Sequence, residues 1–231
     1  MKIAINGFGR IGRVFYRQAS NNPDFEIAAI NDLADKDNLL YLLEHDSVYG
    51  RFALPEKIKD IKFLQEKNPA KLPWKDLDID VVVESTGFFD SYDKAKAHLD
   101  AGAKRAVITA PVKDDMALTL TPNVNAGDIS QFKITSNASC TTNAITPLIS
   151  ILAKNPGIKK AVLNTIHAYT ASQGIVDKPD AKDWRRGRAG TIDISPSSTG
   201  AAISAAKAMP EMKGIFDGVA VRVPVPVGSL I

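Results

Sequence analysis

Cys140, the only cysteine in the chain, stands in Ser139-Cys140-Thr141-Thr142-Asn143, among hydroxyls and an amide. A cysteine that serves as a small buried hydrophobe keeps apolar company, so this setting suits a covalent nucleophile better. Ile145, Leu148, Ile149 and Leu152 follow at helical spacing. That puts Cys140 at or just before a helix N-terminus, where the helix field stabilises a thiolate. Pro147, about two turns in, is a point where the helix can distort. A nucleophilic thiol also needs a base, and three histidines are available. His98 sits in a helical pattern beside Ala97 and Leu99 and reads as a structural or surface residue. His45 precedes Asp46-Ser47 in a loop. His167 ends the strand-like run 161–166, and a strand tip can present its side chain to a cleft. Pattern prefers His167 without excluding the other two.

A second chemistry is written at the other end. Gly7-Phe8-Gly9-Arg10-Ile11-Gly12 follows the apolar run Lys2–Asn6 and opens a helical pattern, and Asp32 closes the next strand. Three glycines also occur in ordinary strand-to-helix turns; the strand before, the helix after and the acidic residue about 20 positions on set this one apart. Gly7 permits the tight turn, Gly9 lets a pyrophosphate approach the backbone, and Gly12 allows helix to pack on strand. The helix N-terminus then offers N–H groups and partial positive charge to phosphates. Asp32 would take the ribose hydroxyls and repel a 2′-phosphate, which favours NAD over NADP. A thioester-forming nucleophile beside a dinucleotide site describes an enzyme that oxidises an aldehyde.

Positioning these groups takes alternating strands and helices. Ile11, Val14, Phe15 and Ala19 recur at helical spacing, Glu26–Asn31 is a second strand, and Leu39, Leu40, Leu42 and Leu43 mark another helix. Residues 80–84 form a buried-strand pattern stopped by Ser85-Thr86-Gly87. A helix over 93–101 ends at Gly102, and residues 105–109 are the next strand. Residues 57–73 are polar and proline-punctuated and read as an excursion on the sheet edge. The repetition predicts a doubly wound parallel α/β sheet, covered on both faces. In 218–225 the valines 219, 221, 223 and 225 share one face, taken as the apolar one, so Arg222 projects from the other. Ser195-Pro196-Ser197-Ser198-Thr199-Gly200 resembles a helix start, by N-capping or by binding an anion.

Composition is that of an ordinary globular protein, with 231 residues, 45% apolar, 24% charged and net charge +3. One cysteine excludes an internal disulfide framework and fits a reducing, cytoplasmic setting. No run of about 18 apolar residues spans a bilayer, and no leader precedes Ile3, so no membrane partner is expected. The one basic cluster, Arg185-Arg186-Gly187-Arg188, reads as an anion site or subunit contact rather than a nucleic-acid patch. No metal site is expected.

The chain resembles the phosphorylating glyceraldehyde-3-phosphate dehydrogenase family. The matching segments, in the family's order, are Ala4 to Arg13, Asn31-Asp32-Leu33, Glu84-Ser85-Thr86-Gly87, Ser136 to Asn143, His167-Ala168-Tyr169-Thr170, Thr199-Gly200-Ala201 and Arg222-Val223-Pro224. The resemblance implies a Rossmann-type dinucleotide-binding domain over 1–139 and an α+β catalytic domain over 140–231. It implies Cys140 as nucleophile and His167 as base, with NAD as cofactor and a cysteine thioester that inorganic phosphate resolves to an acyl phosphate. NAD would contact Asn6, Gly7, Phe8, Gly9, Arg10, Ile11, Gly12, Asp32, Thr86, Gly87 and Thr109, and Leu33 with Pro179 goes with NAD. Thr170 and Arg222 match the substrate-phosphate site. Ser139, Thr141, Thr199 and Gly200 match the attacking-phosphate site, with Arg186 an addition. A homo-oligomer, a tetramer when complete, is implied.

There are departures. Tyr49 replaces a usual histidine, Ala144 a frequent second cysteine, and Trp184 and Gly187 alter the arginine loop. The region from Arg51 to Pro73 looks shorter than usual, trimming edge strands. The family continues past Ile231 through more sheet to a helix whose asparagine holds the nicotinamide carboxamide, so the chain reads as C-terminally incomplete. Three alternatives stay open: a non-catalytic dinucleotide-binding or assembly module, an erythrose-4-phosphate dehydrogenase, and, fitting less well, an aspartate-semialdehyde dehydrogenase.

Overall fold

A computed structural model describes residues 1–231 except 126, 128 and 182. The chain divides into two compact units, one over residues 1–120 and 127–138, the other over 139–231 with a short segment from Thr121. In the first unit the elements run β1 (Lys2–Asn6), α1 (Arg10–Ala19), β2 (Glu26–Asn31), α2 (Lys36–Glu44), β3 (His45–Asp46), β4 (Gly50–Arg51), β5 (Lys62–Leu64), β6 (Val81–Glu84), α3 (Tyr92–Asp100), β7 (Arg105–Ile108), β8 (Leu118–Thr119) and β9 (Ile134–Ser136). Seven strands form one sheet in the order β5-β2-β1-β6-β7-β9-β8, and every pairing is parallel. Winding reverses between β1 and β6, the switch point at which doubly wound sheets open a ligand crevice beyond their strand ends.

Successive strand residues feed opposite faces. Ala4 and Ala29 join a core with Trp74, Val82 and Ala106, while Ile5 and Ile30 join another with Phe8, Tyr16 and Leu43. Both faces are therefore covered, as a parallel sheet requires. The stripe of α1 that meets the sheet is Gly12, Arg13, Tyr16 and Ala19. It is rotated by one residue from the predicted stripe and leaves Ile11 exposed. Residues 57–73 are more than an excursion: β5 extends the sheet beside β2, and Ile58, Ile61 and Leu72 are buried. The surrounding lysines hide this strand, in which only the short pair Phe63 and Leu64 packs inward, one against each core. His45 opens a two-residue strand rather than lying in a loop.

The second unit contains α4 (Cys140–Lys154), β10 (Ala161–Ala168), β11 (Ser195–Ser198), α5 (Ala201–Ala208), β12 (Phe216–Val223) and β13 (Ser229–Leu230). The strands form a mixed sheet, β11-β12-β10-β13, with β10 and β12 parallel. Ile145 and Ile149 of α4, Ala201, Ala202 and Ala205 of α5, and Leu163 and Phe216 of the strands share one core. α4 runs unbroken through Pro147. Ser195–Ser198, read as a helix start, is instead a strand antiparallel to β12, and the helix begins only after Gly200. The alternating serines carry no apolar signal, yet Ser195 and Ser197 face inward. The valine face of β12 is also reversed: Val219 is 54% exposed, while Phe216 and Ala220 are buried. Arg222 therefore lies on the helix-covered side.

Candidate active site

Ser139 caps α4, its Oγ accepting from the Thr142 N–H at 3.0 Å. Cys140 is the first residue of the helix, held where the unpaired N–H groups concentrate positive potential. Ala138, just before the capping Ser139, has φ of 54°, a left-handed conformation that costs a non-glycine residue energy. Leu163, Thr165 and His167 alternate along β10 onto one face, and register pairs His167 with Arg222 of β12. Period two in both strands thus brings the imidazole and the guanidinium together under the helices.

The contacts are short. His167 Nε2 lies 3.2 Å from Cys140 Sγ, and Arg222 Nη1 lies 2.9 Å from His167 Nδ1. The Ala168 carbonyl is 2.7 Å from the same Nδ1 and accepts from Arg222 Nη1 at 2.9 Å. The hydrogen bond to His167 holds the Cys140 thiol below its ordinary range, against the upward pull of burial. The same bond raises His167 above its usual value, opposed by burial and by the Arg222 charge. Burial lowers Arg222, and the neighbouring Arg186 charge adds to that. A thiol next to an imidazole at a helix start can lose its proton to that ring and attack an electrophilic carbon.

Two guanidiniums close enough to perturb each other are a costly arrangement unless an anion joins them. Neither Arg186 nor Arg222 has a carboxylate partner among the described residues, and the Nε of each is buried without an acceptor. Arg186 donates to Ser172 Oγ at 2.6 Å, and Ser172 Oγ is 2.9 Å from Thr170 Oγ1. Ser172 went unread in the sequence; a second hydroxyl two residues after Thr170 was the available signal. Thr141 is buried at the start of α4, and Thr199, just before the cap residue Gly200, accepts from Ala201 N of α5 at 3.1 Å. Thr199 and Gly200 make no hydrogen bond with the cysteine–histidine pair.

In the first unit, the ends of β1, β2, β6 and β7 bring Asn6, Asp32, Thr86 and Thr109 to one edge of the sheet. Gly7 has φ of 92°, and a Cβ there would sit 2.6 Å from Thr86 N. A Cβ on Gly12 would fall 2.2 Å from Gly7 O, whereas one on Gly9 would meet nothing within 4 Å. Gly9 therefore borders open space, the cradle a pyrophosphate would need, while its companions hold the turn together. Asp32 Oδ2 accepts from Phe8 N at 2.7 Å and its Oδ1 from Ala34 N at 3.0 Å. The Phe8 side chain is buried in the core, and the Asn6 amide is spent on Glu84 and Asn31. Arg10 is exposed and approaches Asp46 at 3.7 Å. Thr86 is tied by both N and Oγ1 to Glu84, Gly87 has φ of 76°, and Thr109 donates to the Glu84 carbonyl. The residues fit a dinucleotide.

Such a crevice defines a Rossmann-type, NAD-binding oxidoreductase fold, here followed by a unit that presents a cysteine–histidine pair. Residues 1–92 match the family described as glyceraldehyde 3-phosphate dehydrogenase, NAD binding domain, and residues 139–231 match its C-terminal domain. Curated relatives named glyceraldehyde-3-phosphate dehydrogenase include those of Chlamydia muridarum (48% identical), Clostridium pasteurianum (47%) and Mycolicibacterium smegmatis (48%). These matches cover 99–100% of this chain and 72% of each relative. The chain belongs to the glyceraldehyde-3-phosphate dehydrogenase family, NAD-dependent oxidoreductases. Among the described residues, no helix is long and apolar enough to cross a membrane and no cluster of three metal-ligating side chains occurs.

Proposed function

We propose that the chain converts glyceraldehyde 3-phosphate, NAD and inorganic phosphate to 1,3-bisphosphoglycerate and NADH, the glycolytic oxidation, through a thioester on Cys140. The observation that carries this reading is the 3.2 Å contact between Cys140 Sγ and His167 Nε2 at the start of α4. Cys140 attacks the aldehyde carbon as thiolate, giving a hemithioacetal. The Cys140 N–H and the His167 side chain stabilise the oxyanion. His167 then takes the hydroxyl proton at Nε2. NAD, when bound, supplies the acceptor for the hydride that leaves the same carbon. Thr170 and Arg222 hold the substrate phosphate. Ser139, Thr141, Thr199 and Gly200, with Arg186, receive the attacking phosphate, which releases the acyl group and regenerates the thiolate.

The dinucleotide role falls to residues 1–139, through Asn6, Gly7, Phe8, Gly9, Arg10, Ile11, Gly12, Asp32, Thr86, Gly87 and Thr109, and the catalytic role to 140–231. Asn6 and Phe8 act by shaping the crevice, since their side chains are committed inside. The need to keep a thiol nucleophile reduced supports a cytoplasmic location, and the exposed valines of β10 and β12 support a homo-oligomer. NADH formation from glyceraldehyde 3-phosphate, measured with and without inorganic phosphate, tests the reaction. Phosphate-dependent turnover sustains it. NAD binding without turnover replaces it with a dinucleotide-binding module, and faster turnover of erythrose 4-phosphate reassigns the substrate.

A further inference from the structure

The three contacts beside the cysteine pair cannot all be hydrogen bonds at once. His167 Nδ1, the Ala168 carbonyl oxygen and Arg222 Nη1 stand at mutual separations of 2.7, 2.9 and 2.9 Å. Arginine only donates, so its contact with Nδ1 is favourable only when Nδ1 carries a lone pair. The two hydrogens of Nη1 then bridge Nδ1 and the carbonyl, and the single ring proton sits on Nε2, facing the sulfur. In the opposite arrangement Nδ1 holds a proton and gives it to the Ala168 carbonyl, and the arginine loses one partner and meets a like hydrogen.

The two arrangements differ in what His167 can do. To take a proton from Cys140, Nε2 needs a free lone pair, so the neutral ring must carry its proton on Nδ1. Transfer converts thiol and Nδ1–H imidazole into thiolate and an imidazolium protonated at both nitrogens. Both states therefore require the Nδ1–H bond to Ala168. Arg222, seated where it is, opposes them.

We propose that Arg222 is a positioning residue that sets the His167 tautomer, and that an oxyanion such as phosphate, by drawing its guanidinium away from Nδ1, switches the ring into the proton-accepting form. The charged groups facing His167 are Cys140 from α4 and Arg222 from β12, with Arg186 behind the latter; Asp183, bonded to Arg185, feels the Arg186 charge, and no carboxylate acts on Arg222 among the groups that shift it. The buried, unpartnered Nε atoms of both arginines are the donors that an anion would engage. Occupancy of the anion site would thereby prepare the nucleophile. This rests on the Cys140–His167 reading above.

The test is a pH titration of the histidine-labelled full chain by nitrogen and carbon NMR, with the His167 signals assigned by His167→Asn. Inorganic phosphate is the probe. Without it the neutral ring should carry its proton on Nε2. With saturating phosphate the tautomer ratio should move about tenfold or more toward Nδ1–H, the scale of a charge-assisted hydrogen bond, and the ring pKa should rise. In Arg222→Leu the Nδ1–H form should dominate with or without phosphate, a response that lost packing alone does not produce. An Nδ1–H tautomer in the phosphate-free wild type overturns the proposal, as does a wild-type tautomer unmoved by phosphate. Should Arg222→Leu fail to fold, the wild-type titration still decides. Iodoacetamide labelling at saturating phosphate separates the readings: an ordinary thiol profile at Cys140 there defeats the nucleophile, whereas the tautomer result bears on Arg222 alone.

Discussion

Glu84 and His98 face each other at 2.9 Å inside the first unit, and neither side chain reaches solvent. Trp74 Nε1, which only donates, lies 3.0 Å from His98 Nδ1. His98 therefore accepts there and gives its Nε2 proton to the carboxylate. Asn6 and both polar groups of Thr86 complete the carboxylate's shell, so one buried anion organises the crevice where β1 and β6 end. Leaving a buried polar group without one of its hydrogen-bond partners costs about 1–3 kcal/mol, more where the group is charged. His98→Ala should destabilise the fold by that order in urea denaturation followed by circular dichroism, and weaken NAD binding as Thr86 loosens. An unchanged midpoint and slope would show that the carboxylate is not so constrained.

Gly9 and Gly12 should respond to alanine in opposite ways. Gly9→Ala enters open space, so stability should change by less than about 0.5 kcal/mol, while NAD affinity falls tenfold or more in calorimetry. Gly12→Ala drives a methyl into the Gly7 carbonyl and should cost about 1–3 kcal/mol by overpacking. Equal NAD affinity in Gly9→Ala and wild type would remove the pyrophosphate from that cradle.

The thiol and imidazole shifts fix a pH dependence. The lowered Cys140 value means that thiolate appears below the ordinary thiol range, and the raised His167 value means that the ring stays protonated above its usual one. Both shifts favour the thiolate–imidazolium form. Alkylation of Cys140 by iodoacetamide should therefore rise at lower pH than for a free thiol. His167→Asn should return the profile to the free-thiol position; identical profiles would remove the histidine as cause.

Cys140→Ser should abolish NADH formation from aldehyde and leave NAD affinity within about twofold, because the serine keeps the helix start but forms no thioester. A serine variant that still produces NADH would move the nucleophile elsewhere.

Ser172 joins Arg186 to Thr170, and Ser172→Ala removes that link without touching Cys140 or His167. A hydrogen bond of this kind is worth about 0.5–1.5 kcal/mol. KM for phosphate or for the phosphorylated aldehyde should rise about two- to tenfold with kcat nearly constant. A fall in kcat at unchanged KM would assign Ser172 to the chemical step.

The order of residues along the chain already determined the alternation of strand and helix in the first unit, the glycine turn, the acidic end of β2 and a cysteine at a helix start. Each is a local rule: apolar periodicity, a glycine that must adopt positive φ, a hydroxyl that caps. Only the tertiary structure decided which face of β12 is buried, because four valines look like a core stripe until the helices settle on the side of Phe216 and Ala220. It alone set His167 against Arg222, residues 55 positions apart that meet through the parallel register of β10 and β12. It also made strands of Ser195–Ser198, whose polar letters carry no apolar signal, and of Lys62–Leu64, too short to show a period; both gain their place from the neighbours that pair with them. Periodicity along a chain records which way side chains alternate; which side is inside is settled by what packs against them.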